Sequence, residues 1–295
     1  MCNRYVSAED LDIEREWNIG ARNQPKLFDK VLFPRGQGAF IRRARDDAGY
    51  SRELVVGQWG LIPWFAKEPK LKYPTNNARS EELADKASYK LPWARGQRCI
   101  IPAANFDEPN WESGKNVWWR FARSDGHPWG MAGLWNTWTD KGTGEVHESY
   151  TMLTLNADAH PLMSRMHKPD PKVGPTEQDK RSVIPIEAGD VDAWLAGTME
   201  QAQGLLRLAP VDGADSDGDL QVGTGLASTG FGGVAIEKGS HQTEQGGAQG
   251  MSTDFTGLVL PSQRFAVAAP CRSRDKLRPK PSPLTWLPSA LNGHR

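Results

Sequence analysis

The sequence predicts an α+β fold: a single domain built on a curved, mostly antiparallel β-sheet, with a few flanking helices. Three observations carry that expectation. Short runs rich in Val, Ile, Phe and Trp recur through the first 210 residues, broken at intervals by Gly and Pro. Helical patterning is confined to a few brief stretches, so the strands must bury their faces against one another and against few helices. Eleven of the twelve tryptophans also lie in this part, which gives it the apolar bulk for a core. From residue 211 the composition turns to Gly, Ser and Asp, which cannot bury enough surface to offset ordering entropy. Residues 2–210 are therefore expected to form the catalytic domain and 211–295 a low-complexity, disordered tail, its end basic and Pro-rich.

In chain order, Ala8 to Trp17 reads as a short acidic helix. Val31 to Pro34, Ala39 to Ile41 and Leu54 to Trp64 read as strands. Ser80 to Lys90 suits a helix capped by Ser80, with Glu81 and Glu82 at its positive end. Gln97 to Pro102 is a strand of the buried type. Val117 to Ala122 and Gly130 to Trp135 alternate like an antiparallel pair around the turn Ser124-Asp125-Gly126. Tyr150 to Leu155 and Ser182 to Ile186 complete the strands, and Asp190 to Ala196 and Met199 to Leu208 read as closing helices, the first capped by Asp190.

Composition excludes several classes. Lys plus Arg equals Asp plus Glu at 36 each, so a basic surface for nucleic acid has to be local. Cys2, Cys99 and Cys271 are too scattered for a disulfide scaffold or a metal site, so no metal and no cofactor are expected. The apolar runs fall short of membrane-spanning length and no signal-peptide core follows Met1, so a cytoplasmic protein without a membrane partner is expected.

The chemistry begins at the second residue. Removal of Met1 would leave Cys2 with a free amine and a thiol on adjacent carbons, titrating near pKa ~8 and ~8.5. Such a 1,2-aminothiol can attack an acyl carbon or condense with an aldehyde to close a thiazolidine. Three further constellations stand out. Asn76-Asn77-Ala78-Arg79-Ser80-Glu81 puts amide, guanidinium and carboxylate groups within a short stretch, suited to a phosphate or sugar and equally to capping a helix. Asp107 and Glu108 follow a buried strand, where a carboxylate has its pKa raised and can serve as general acid or base; surface turns carry the same residues. His160 and His167 share a loop with Arg165 and Lys168.

Taken in order, Met1-Cys2-Asn3-Arg4-Tyr5, Trp59-Gly60-Leu61-Ile62-Pro63-Trp64, Asn77-Ala78-Arg79-Ser80-Glu81, Arg98-Cys99-Ile100-Ile101-Pro102-Ala103 with Glu108, and the segment before Val183-Ile184-Pro185-Ile186 resemble the SRAP family of SOS-response-associated peptidases, or abasic-site processing proteins. The resemblance covers roughly residues 2 to 210. It implies a monomeric enzyme of the DNA-damage response, associated with the nucleoid when bound, whose partner is single-stranded DNA containing abasic sites. The chemistry implied is a thiazolidine crosslink between Cys2 and the ring-opened sugar, with autoproteolysis or reversal alongside, of peptidase, hydrolase or lyase type. Carried over by position, Cys2 is the nucleophile, Asn77 holds sugar and Cys2 in register, and Glu108 shuttles protons, with Asp107 as a stand-in. Arg4 and Arg79 would grip phosphates, and Trp59, Pro63 and Trp64 would stack on bases or wedge the strand open. The family's His-Asp-Arg-Met-Pro is replaced by Met166-His167-Lys168-Pro169 and an extra run from Asp170 to Lys180. His167 is the expected catalytic histidine and His160 the alternative. Two other classes fit Cys2 or the DNA residues: an N-terminal-nucleophile amidohydrolase acting on glutamine, and a noncovalent single-strand binding module.

Overall fold

The structure is a computed structural model that describes residues 1–19, 28–45, 50–211 and 220–226. The spine of the fold is one long strand, β6 (Arg98–Asn110). Its first half pairs with β8 (Trp129–Thr139), from Arg98↔Leu134 to Ala103↔Trp129, and its second half with β7 (Val117–Arg123), from Phe106↔Phe121 to Asn110↔Val117. On its other edge β6 meets β3 (Gln37–Arg43) and β1 (Tyr5–Ser7), and β1 carries the short β2 (Val31–Leu32).

The sheet then curls back on itself. β3 pairs with β4 (Arg52–Trp59), the end of β4 runs parallel to the first half of β9 (Val146–Asn156), β9 pairs with β8, and β8 returns to β6. Closing the ring gives β3, β4, β6, β8 and β9 a partner on both sides, while β2, β10 and β11 lie outside it as edges. β5 (Asn77–Arg79) lies parallel to β9 and β10 (Arg181–Val183) antiparallel to it, so the sheet is mixed but mainly antiparallel, as expected.

Both faces are buried, and strand alternation sorts the residues between them. Phe40, Trp59, Cys99, Ile101, Met131, Tyr150 and Met152 belong to one apolar cluster, which also contains Cys2 and Tyr5. Their neighbours Ala39, Ile41, Ile100, Ala132 and Leu153 belong to a second, packed by α1 (Asp10–Trp17) through Ile13 and Trp17, α2 (Lys90–Ala94) through Trp93, and α3 (Val191–Ala196) through Val191, Trp194 and Leu195. Gly38 is required where two tyrosines meet: a Cβ there would stand 2.0 Å from the Tyr150 hydroxyl, which is hydrogen-bonded to Tyr5.

Several local expectations are corrected. The two strands flanking Ser124-Asp125-Gly126 are not partners of each other; β7 and β8 pair with successive halves of β6. Asp107 and Glu108 lie inside β6 rather than beyond a strand end. The strand beginning near Leu54 stops at Trp59, where Gly60 at φ +148° turns the chain out of the sheet. Ser80 to Lys90 is not a helix and Ser80 does not cap one: a 3₁₀ turn over Ser80–Glu82 leads through turns into α2, whose Pro92 sits in the first turn, where no amide donor is needed. Asp190 makes no capping bond and instead accepts from Arg207, whereas Thr198 and Gln201 form a reciprocal capping box on α4 (Met199–Gly204). Within the stretch expected to be a tail, β11 (Leu220–Leu226) pairs antiparallel with β7; residues 212–219 and 227–295, with Cys271, lie outside the described residues. Among the described residues no helix is long and apolar enough to cross a membrane.

Candidate active site

The chain start is delivered to its neighbours by strand pairing. β1 runs beside β6 in the register Tyr5↔Phe106 and Val6↔Asn105, and Asp107 N donates to Arg4 O at 3.1 Å. That register sets residues 1–4 alongside Asp107 and Glu108. From the other side, β5 brings in Asn77, whose Nδ2 donates to Cys2 O at 2.6 Å. Asn76, which the sequence reading left without a role, adds a bond to Asn3 Oδ1 at 3.1 Å and a longer one to Cys2 O. Cys2 is thus held by its carbonyl, and its buried thiol donates to Arg4 O at 3.4 Å.

The histidine comes from the loop after β9. His167 sits at φ +62°, and its N–H donates to Pro109 O at 2.6 Å, next to a bridge between Met166 and Asn110. A positive φ on a non-glycine residue persists only when its surroundings enforce it. Here Lys180 does so: its buried ammonium donates to Met166 O at 2.8 Å and His167 O at 2.7 Å. Nothing in a lone lysine after a loop announces burial, so that role is not legible in the sequence. The N-terminal ammonium donates to His167 Nε2 at 2.9 Å, and the same nitrogen lies 3.2 Å from Glu108 Oε2. His160, in contrast, is fully used by the backbone: its Nδ1 accepts from Leu162 and Met163 N–H and its Nε2 donates to Ala209 O at 2.8 Å. Of the two histidines, only His167 reaches the chain start.

Burial sets the protonation states. Glu108 is fully buried, and loss of solvation pushes its carboxyl up to about 7, against the nearby N-terminal charge and with help from Asp107. Burial, then the N-terminal ammonium and Lys180, drives His167 down to about 3, so the imidazole is neutral and its contact with Glu108 is not an ion pair at neutral pH. The Cys2 thiol is pushed well above its ordinary value by burial and then by Glu108. Asp107 points elsewhere, into ion pairs with Arg4 at 2.5 Å and Arg120 at 3.0 Å, so it does not stand in for Glu108.

Both carboxylate oxygens of Glu108, Asn77 Oδ1 and Arg4 Nε are buried and have no hydrogen-bond partner among the described residues. Each such group costs on the order of 1–3 kcal/mol. The Glu108 and Asn77 oxygens belong to residues that flank the chain start, Glu108 through His167 and Asn77 through the Cys2 carbonyl, which is the pattern of a site whose substrate supplies the missing bonds.

The outlying residues divide. Trp59 has no exposed surface, donates from Nε1 to Asn76 O at 2.8 Å and packs edge-on to Tyr5, so it is a core residue and not a stacking one. Pro63 is also buried, which removes it as a wedge. Trp64 is 64% exposed and packs edge-on to the exposed Phe65, a partner the sequence reading missed. Arg79 is partly exposed and paired with Asp179 and Glu82.

A family model described as SOS response associated peptidase (SRAP) matches residues 1–218. The abasic site processing protein HMCES of Xenopus tropicalis is 32% identical over 156 residues, covering 45% of each chain. The abasic site processing protein YoqW of Bacillus subtilis is 32% identical over 138 residues, 46% of this chain and 60% of that one. The matched segment therefore spans about half the length of these curated relatives. A crystal structure of a Bordetella bronchiseptica protein superposes with a TM-score of 0.63 at 35% identity, covering 75% of this chain and 98% of that one. A Bacteroides thetaiotaomicron structure at 20% identity and a TM-score of 0.58 shares the fold. With the family model spanning the whole described sheet apart from β11, the chain belongs to the SRAP family.

Proposed function

We propose that this chain processes abasic sites in single-stranded DNA by forming a covalent thiazolidine through Cys2 once Met1 is removed. The observation that carries the reading is the set of buried, unpartnered polar atoms on Glu108 and Asn77 around the chain start, with neutral His167 in contact with the ammonium of Met1, one residue before Cys2.

The chemistry follows from those groups. An abasic sugar exists partly as an open-chain aldehyde. The Cys2 amine adds to the aldehyde carbon, and loss of one water gives a Schiff base. The thiol then adds to the same carbon, forming the C–S bond and passing its proton to the nitrogen, which closes the five-membered ring. Glu108, poised at about 7, can donate a proton to the departing oxygen and accept one from an incoming nucleophile. His167 Nε2, which here accepts from the Met1 ammonium, is freed when Met1 is removed, and as a neutral imidazole it can take up a proton released in the addition. Asn77 fixes the Cys2 carbonyl and so the direction from which both nucleophiles approach. Arg4 and Arg79 would meet flanking phosphates, and the exposed Trp64 a base. In this reading the protein works as a cytoplasmic monomer, and residues 2–210 suffice for the chemistry.

The test is intact-mass spectrometry after incubation with an oligonucleotide carrying one abasic site, beside duplex and undamaged controls. The expected result is loss of Met1 and a single DNA-sized adduct at Cys2, on the damaged single strand alone. An adduct that persists in Cys2→Ala, or its absence from a Met1-free protein, would overturn the reading. Ammonia released from glutamine by such a protein would favour the amidohydrolase.

A further inference from the structure

One cavity has no part in the reaction outlined above. It lies beside His167, has a volume of about 340 Å³, and is lined by Trp111, Arg165, His167, Val173, Pro175 and Gln178 among others. That volume is at the small end of ligand pockets, which run from ~300 to 1,000 Å³. One wall is the connection after β6, carrying Trp111 and Glu112; the other is the run from Asp170 to Lys180 that departs from the family pattern.

The second wall is firmly built. The Gln178 amide donates to Asp170 O, Val173 O and Gly174 O at 3.1, 3.2 and 2.9 Å, and its Oε1 accepts from Asp170 N at 2.7 Å. The charges are arranged with equal care. Glu112 is matched by a two-pronged Arg165, at 2.7 and 2.8 Å, so it does not repel an anion. The Lys168 ammonium stands 5.3 Å from the Trp111 ring centroid, which sets a cation next to an aromatic face. An indole, a rim of Val and Pro and an adjacent cation suit a flat heterocycle attached to a phosphodiester. His167 is the shared wall: it faces this cavity and also touches the N-terminal amine.

We propose that this cavity is a nucleobase subsite that seats a neighbour of the abasic nucleotide on the same strand, an inference that rests on the function proposed above. Because Gln178 spends its amide on its own loop, recognition is by stacking and shape, and purines are seated better than pyrimidines.

The experiment uses the full chain and three oligonucleotides, each with one reactive abasic site. One has bases throughout, and the others have an unreactive tetrahydrofuran spacer at the 5′ or the 3′ neighbour. Initial rates of adduct formation are compared below saturation. Stacking energies translate into a roughly 5- to 160-fold slower reaction for the spacer at the seated neighbour. Trp111→Ala is expected to bring that ratio towards one, as is Val173→Trp, which fills the cavity from its exposed rim without removing packing. Equal rates on all three oligonucleotides in the unmodified protein, or a ratio that survives both substitutions, would overturn the subsite. Absence of any adduct on any oligonucleotide would overturn the proposed function itself, and the subsite with it, so the two failures are distinct.

Discussion

Glu108 is the residue on which both chemistry and stability turn. An ordinary glutamate would be fully ionised at neutral pH; burial within β6 raises this one to about 7. A carboxyl raised on folding binds its proton more tightly in the folded chain, so its contribution to stability is complete below the ordinary glutamate value and is lost as pH rises through about 7. The difference amounts to about 3 kcal/mol. Glu108→Gln, which cannot ionise, is therefore expected to gain stability relative to the unmodified protein between pH 5 and pH 8, measured as the difference in Tm at the two values. The same change removes the proton shuttle, so adduct formation should slow by roughly 10²- to 10⁴-fold. A variant that keeps its rate would remove Glu108 from the chemistry, whatever its Tm. The sequence pointed to Glu108 but could not separate it from Asp107. Alternation along one strand does that, turning Asp107 towards Arg4 and Arg120 and leaving the Glu108 oxygens without a partner among the described residues.

Whole elements show why strands were legible and their partners were not. Val117 to Ala122 and Gly130 to Trp135 were readable as strands from alternation, but the turn between them suggested a hairpin that does not exist. The cause is Pro102 and Pro109, both inside β6, where they pair with Gly130 and Trp118. Proline usually marks an edge or an end, so a strand of this length reads as a short one that stops at Pro102. The Trp59-to-Trp64 stretch reads as a unit in the sequence, yet Gly60 divides it into a core end and a surface end. The two ends predict opposite phenotypes. Trp59→Ala should cost about 3–5 kcal/mol, seen as a large fall in Tm, because it empties core volume and removes one of the two hydrogen bonds to Asn76 O. Trp64→Ala should leave Tm nearly unchanged and weaken noncovalent binding of a single-stranded oligonucleotide by ~1–3 kcal/mol, measured by fluorescence anisotropy. Equal Tm losses in the two variants would contradict this division.

At the scale of the whole molecule, the charge balance says how the protein must hold DNA. Basic and acidic residues are equal in number, and the arginines nearest the site already have carboxylate partners, Arg4 with Asp107 and Arg79 with Asp179 and Glu82. A phosphate has to compete with those partners, so few counterions are released on binding. Each phosphate neutralised on a single strand contributes about −0.7 to the slope of log K against log salt, and the slope expected here is no steeper than about −3. Noncovalent affinity is then modest and lost at high salt, and durable retention depends on the covalent bond. Order of addition separates the two. Salt raised to about 1 M, where the Debye length is ~3 Å, should suppress adduct formation when added before the oligonucleotide. Added after the reaction, the same salt should leave the adduct intact on a denaturing gel. If early salt had no effect on the rate, encounter would not depend on phosphate contacts. Arg4 and Arg79 would then be left to their ion pairs, as parts of the scaffold that holds β1 and β5 beside Cys2.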